Sequence, residues 1–185
     1  MKQIIIRFFS FIIIGCFLLV SCKKGEKETI NYFKYDQEKS EIGSALGLNL
    51  GESLVTGVYK IEIEFFEKTL NLVYTNGLAD SLTGYGDVFV LTFLTNNGQE
   101  IPTGVYNYLN SGSTYKPNFI SSRSYLVFNY DPVHNADPEQ ANINGGNVTV
   151  SKSGSEYEFT FNLTTSLNTT ITGYYKGVLL PYSNK

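Results

Sequence analysis

Between Tyr59 and Phe65 the chain alternates without a break. Tyr59, Ile61, Ile63 and Phe65 fall on one side of an extended segment, and Lys60, Glu62 and Glu64 on the other. Successive side chains of a strand point to opposite faces, so this period of two predicts a strand with one apolar face. Leu70, Leu72 and Tyr74 repeat the pattern, and Glu67-Lys68 between the two segments predicts a hairpin turn. Residues 87–95 are apolar on both faces, which predicts a central strand covered on both sides. Asn96-Asn97-Gly98 tolerates positive φ and predicts a second hairpin, leading into a strand over residues 104–109. Residues 125–130 form a further apolar run, and residues 148–150 and 157–163 flank Ser153-Gly154, which predicts a third hairpin. Residues 170–180 supply a last strand. Phe33, Tyr35, Ile42, Leu46, Leu48 and Leu50 supply a first pair.

No segment carries a helical period. The nearest, residues 38–50, is interrupted by Gly43 and Gly47 and followed by Gly51, and glycine weakens a helix interior. The count comes to roughly ten strands at the spacing of a sandwich or barrel. Short connections favour antiparallel neighbours. The expected fold is therefore all-β, an antiparallel sandwich or flattened barrel spanning residues 30–185 as one domain.

The N-terminus breaks from this pattern. Lys2 and Arg7 precede an apolar run that reaches Val20, followed by Ser21 and Cys22. The run is too short and too interrupted for a permanent span, which needs roughly 20 apolar residues. Leu19-Val20-Ser21-Cys22 resembles the lipobox of bacterial lipoproteins, and the resemblance implies cleavage before Cys22 and lipid on its sulfur. Cys16 offers a competing site, but cleavage there would truncate the apolar part of the signal. Residues 1–21 are thus expected to be a signal peptide. The charged residues 23–29, with Cys22, form a tether that holds the domain to a membrane.

Removing residues 1–21 takes away Lys2 and Arg7 and no acid, so the mature chain is more negative by two than the full chain's −3. Through the folded part the basic residues are scattered singly, which argues against a nucleic-acid partner. Both cysteines of the sequence lie at or before position 22, so the domain has no disulfide and must be held by its core. There is one histidine and no tryptophan.

The C-terminal third carries a further resemblance. Residues 143–154 (Ile-Asn-Gly-Gly-Asn-Val-Thr-Val-Ser-Lys-Ser-Gly), residues 157–163, and Ile171-Thr172-Gly173-Tyr174-Tyr175-Lys176-Gly177 look like small, mostly uncharacterised lipoproteins of Bacteroidota. The resemblance implies an all-β domain of the cell envelope, lipid-anchored on the outer membrane at its periplasmic face or at the cell surface. It brings no catalytic residues. Asp80-Ser81-Leu82, in a polar stretch between strands, is similar to the O-glycosylation acceptor of that phylum, which makes Ser81 a candidate for modification.

Candidate chemistry is sparse. Asp131, His134, Asp137 and Glu139 gather carboxylates and the lone histidine in one loop, a weak cation candidate against the simpler reading of a proline-stiffened turn. Glu62 and Glu64, and likewise Glu156 and Glu158, sit at i and i+2 on one strand face, where paired carboxylates would suit a glycosidase. The alternation alone explains them as a solvated outer face. Serine or cysteine catalysis is disfavoured, because His134 is the only base of its kind, no thiol remains, and no Gly-x-Ser-x-Gly elbow occurs. Tyrosine is abundant, at 14 residues, and Tyr106, Tyr108 and Tyr174 are candidates for an aromatic binding face. No cofactor is expected. The expected function is a membrane-anchored, non-enzymatic module that binds a glycan, a peptide or a partner protein. The alternatives are an assembly accessory of an envelope complex and, last, a carboxylate-dependent hydrolase.

Overall fold

The computed structural model describes residues 30–134 and 138–181, and all regular structure among them is β. In chain order the strands are β1 (Tyr32–Tyr35), β2 (Glu38–Glu52), β3 (Tyr59–Glu67), β4 (Leu70–Thr75), β5 (Leu78–Gly84), β6 (Gly86–Thr95) and β7 (Gly104–Tyr108). They are followed by β8 (Phe119–Ile120), β9 (Tyr125–Tyr130), β10 (Gln140–Ser153), β11 (Glu156–Thr165), β12 (Thr170–Val178) and β13 (Leu180–Pro181). The lipidation site expected at Cys22 lies outside the described residues.

The sheet closes on itself. β1 pairs with β12 on one edge and with β2 on the other, completing the ring β1-β12-β11-β10-β7-β8-β6-β3-β2. Closure removes the exposed edges that a sandwich would have to protect. Between β10 and β6 the wall is built in two ways. At one end β9 bridges them, against residues 140–142 of β10 and 86–90 of β6. At the other end β7 pairs with residues 147–150 of β10, and β8 pairs with Phe93 and Leu94 of β6. Most neighbours are antiparallel; β7–β8 and β13–β2 are parallel.

Strand β6 is buried along almost its whole length, as its double-sided apolar pattern predicts. The hairpin of β10 and β11 turns at Gly154-Ser155, and β1 and β2 turn at Asp36-Gln37 with φ of 45° and 82°. Two expected hairpins do not form. β3 has both edges filled, by β2 and β6, so β4 leaves the barrel and pairs with β5 instead. Nor does β6 turn back into β7. The connection buries Ile101 in the interior cluster and delivers β7 to the edge of β10.

A barrel of this strand number has a lumen just wide enough for side chains to fill, and aromatic rings fill it here. Phe33, Phe65, Phe89, Phe93, Phe159 and Phe161 are buried together with Tyr106, Tyr157 and Tyr175. Edge-to-face geometry recurs: Phe89 and Phe161 lie 5.3 Å apart at 90°, Phe93 and Tyr106 5.1 Å apart at 86°. Such contacts add to the area the rings bury.

A second apolar cluster lies on the outside of the wall, where Leu46, Phe66, Val88, Val90 and Val127 meet Leu70 and Ala79 of the β4–β5 hairpin. The hairpin turns at Asn76-Gly77 with φ of 54° and 81°, the positive pair of a type I′ turn, which matches the twist of the strands it joins. At its root Gly84 has φ of 98°, and a Cβ there would collide with the carbonyl of Thr69. Glycine thus lets the hairpin fold back tightly over the outer wall.

Candidate functional site

Aromatic rings fill much of the lumen, and a groove lies between the outer wall and the hairpin. The groove, of about 310 Å³, is floored by Leu46 of β2, Glu64 and Phe66 of β3, Val88 and Val90 of β6, and Tyr125, Val127 and Tyr130 of β9. Leu72, Ala79, Asp80, Ser81 and Leu82 of the hairpin form its other side. This is the size and the apolar character of a small-molecule site. A smaller recess of about 250 Å³ borders the lumen cluster at Ile61, Ile63, Ile101 and Tyr157, with Leu48 and Leu180 beside them, and gathers fewer ionisable groups.

Sheet register dictates the floor. Leu46, Glu64, Val90 and Tyr125 face one another across four neighbouring strands, and Phe66, Val88 and Val127 form the next row. Glu64 is therefore a carboxyl in an otherwise apolar floor. Its pKa is raised from the ordinary carboxylate value to about 7, first because burial disfavours its charged form and second because Glu62 lies beside it. Glu62 differs, since Thr92 Oγ1 donates a hydrogen bond to its Oε2 at 3.1 Å. Burial also pushes the Tyr125 hydroxyl up, with Glu62, Glu64 and Tyr130 adding to the effect. On the hairpin side, Thr75 Oγ1 donates to Asp80 Oδ2 at 3.1 Å. Among the described residues, Glu64 and Asp80 are the carboxylates of the lining. The simple reading of Glu62 and Glu64 as a solvated face is thus corrected, because the hairpin covers that face and Glu64 becomes part of a groove.

Ser81 lies within β5 rather than in a loop, exposed and on the groove's lining. Tyr106 and Tyr108 do share a face, but it is the interior one. Tyr106 is buried, with its hydroxyl donating to the Pro102 carbonyl at 2.7 Å, and Tyr108 packs partly buried against the same cluster. The reason is the pairing of β7 with β10, whose Val148, opposite Tyr106, also points into the lumen. These two are therefore removed from any outer binding face. Tyr174 is on the outside of β12, partly covered, and its hydroxyl is pushed up by burial and by the Glu158 carboxylate. Glu156 and Glu158 project outward from β11, away from the groove.

In the 131–139 loop, Asp131 Oδ1 accepts hydrogen bonds from the Val133 and His134 amides at 2.8 and 3.1 Å, and Oδ2 pairs with His134 Nδ1 at 2.9 Å. The Val133 amide first, then the His134 ring, hold the Asp131 carboxyl below its usual range. This is the internal bonding of a turn. Among the described residues no group of three or more metal-ligating side chains converges, and Asp137 lies outside them.

The groove escaped the sequence because Glu62 and Glu64 alternate as an exposed face would. The missed signal is Thr75-Asn76-Gly77-Leu78, a strong hairpin marker, which frees β4 from pairing with β3. No protein-family model, curated protein or solved structure matches this chain.

Proposed function

We propose that this chain is a lipid-anchored protein of the bacterial envelope, whose barrel is a rigid support for a non-enzymatic binding groove on its outer wall. The observation that carries the reading is the 310 Å³ groove of mixed apolar and acidic lining, set against a lumen full of aromatic rings. A barrel that held its ligand inside would leave its lumen open. The groove is walled by two separate sheets, the barrel wall and the β4–β5 hairpin.

Anchoring and binding are tested separately. Mass spectrometry of the chain isolated from a bacterial envelope is expected to find Cys22 as the mature N-terminus, bearing acyl chains; an intact residue 1 or cleavage before Cys16 would remove the anchor from the proposal. For the groove, a thermal-shift screen of glycans, short peptides and small amphiphiles is run on the wild type and on Ser81→Trp. Position 81 is exposed, so the indole is tolerated while it fills the groove. Ligands are expected to raise the wild-type melting temperature by several degrees and leave Ser81→Trp unmoved, since ligand binding to the folded state stabilises it by mass action. Equal shifts in both proteins, or none in either, would refute the groove as the binding site.

The raised pKa of Glu64 beside Glu62 favours the hydrolase as second reading. Both carboxyls stand on one strand, however, and glycoside hydrolysis needs them on opposite sides of the scissile bond. Turnover of a groove ligand that disappears in Glu64→Gln would reverse the order of the two readings.

A further inference from the structure

The loops at one end of the barrel differ in chemistry from those at the other. We infer that the protein meets a lipid bilayer with the end that carries the β2–β3 loop, and that Leu54 at the tip of this loop inserts among the lipids. The inference rests on the lipid anchor proposed above, and names how the domain sits on the membrane that holds it.

Leu54 is wholly exposed, and the loop is built to keep it so. The Ser53 amide donates to the Val58 carbonyl at 2.7 Å, and the Val58 amide to the Val55 carbonyl at 3.1 Å. Ser53 Oγ accepts from the Val55 amide at 3.0 Å, and the Gly57 amide donates to Glu52 Oε1. Val55 packs onto the cluster of Val58, Leu94 and Leu109. Its neighbour Leu54 is thus held out on a hydrogen-bonded turn, where an apolar side chain gains nothing until another apolar phase covers it.

Two observations identify that phase as lipid. The first is the path of the chain. The Asn31 side chain is bonded to both the amide and the carbonyl of Lys176, close to where β12 ends at Val178, opposite Glu156 at the turn of β10 and β11. The β2–β3 loop lies at this same end, where Glu52 pairs with Tyr59 and Tyr59 with Thr95. The chain therefore enters β1 from the end where Leu54 projects, so the tether expected over residues 23–29 joins the domain there. The second is charge. Among the described residues, loops 53–58, 96–103, 110–118 and 154–155 of this end hold one acid, Glu100, which pairs with Lys152, and one base, Lys116, whose ammonium lies 4.5 Å over the Phe119 ring. The opposite end also exposes apolar residues, Val133 and Leu167, but its turns carry Asp36, Asp131 and Glu139. Lowering that end onto lipid would desolvate carboxylates, which costs more than burial of an apolar side chain returns. A protein partner is the poorer occupant, since a stable interface buries about 800 Å² on each side and one loop tip offers far less. Lipid needs no complementary surface, and a tethered domain is already at the membrane, so a contact too small for a free protein suffices to orient it.

The chain has no tryptophan, so a single introduced indole reports its own position. Leu54→Trp and Val133→Trp, at exposed positions of opposite ends, are prepared as full acylated chains and reconstituted into phosphatidylcholine vesicles, with flotation reading the anchor. Both indoles have the same intrinsic affinity for a membrane interface, so a difference between them reads orientation. Taking an apolar side chain of this size out of water favours the inserted state by about ten- to a hundredfold. Leu54→Trp emission is therefore expected to shift to the blue and to lose most of its intensity to lipids brominated on their acyl chains, while Val133→Trp keeps the emission of a water-exposed indole. If the protein floats with the vesicles but Leu54→Trp stays unshifted and unquenched, or Val133→Trp is quenched as strongly, the end-on contact is wrong while the anchor stands. A blue shift of Leu54→Trp found in native envelopes and absent from the vesicles would assign the loop to a partner protein and overturn the lipid reading. If neither variant floats with the vesicles, the anchor itself falls, and this inference with it.

Discussion

Phe65→Ala is expected to lower the unfolding free energy by about 3–5 kcal/mol, the range for removing a fully buried phenylalanine. Domains of this kind are stable by only about 5–15 kcal/mol, so the loss takes a large part of the total. The size follows from where the ring sits. Phe65 is fully buried on β3 and touches Phe89 at 5.8 Å, Phe159 at 5.5 Å, Phe161 at 5.1 Å and Tyr175 at 5.3 Å. Those partners belong to β6, β11 and β12, so one side chain ties β3 to the far wall of the barrel. The wall is hydrogen-bonded into a ring and cannot collapse around the space left behind, which keeps the cavity cost high. Urea unfolding of Phe65→Ala and Phe65→Leu measures it, with leucine expected to lose less. A loss below about 1 kcal/mol for alanine would contradict a close-packed lumen.

Glu64→Gln is expected to have the opposite sign, raising stability near pH 8 by about 2–3 kcal/mol. The carboxyl's pKa is near 4.5 when unfolded and about 7 when folded, so the folded chain holds the proton more tightly. Its contribution is fully present below pH 4.5 and is lost as the pH rises to about 7, because between those values the fold must either keep a proton that the unfolded chain releases or bury a charge. Above that, the wild type carries an ionised carboxyl among Leu46, Val90 and Phe66, a burden that glutamine does not impose. Unfolding free energies measured by urea from pH 4 to pH 8 should fall more steeply for the wild type than for Glu64→Gln, and the two curves should separate between pH 5 and pH 7. Parallel curves would show that Glu64 is well solvated.

The fold was legible where one physical requirement dominated. Residues 87–95 had to be covered on both faces, since no alternation offered water a side, and β6 is indeed buried within the barrel wall. Ser153-Gly154 predicts a turn because short, flexible residues separate two alternating runs, and β10 and β11 pair in register around Gly154-Ser155. Pairing partners were less legible. Glu67-Lys68 looked like a turn between two alternating strands, but the choice of partner belongs to whichever strands fill the edges of β3, and those are distant in sequence. Alternation reports which residues share a face and is silent on what covers that face. This is why alternation makes Tyr106 and Tyr108 candidates for a binding face when they line the inside, and gives Glu64 a solvent-facing position although the hairpin lies over it.

That hairpin is a separate two-stranded sheet, paired only with itself and joined to the barrel by side-chain packing and by its two ends. Its hydrogen-bond ladder can be rewritten without breaking a single rung of the ring. Residues 70–84 are therefore a replaceable cassette: transplanting a different hairpin between Glu67 and Gly86 would change the shape and lining of the groove while the aromatic lumen continues to specify the barrel. One side of the groove can thus be exchanged while the other, which belongs to the barrel wall, stays fixed.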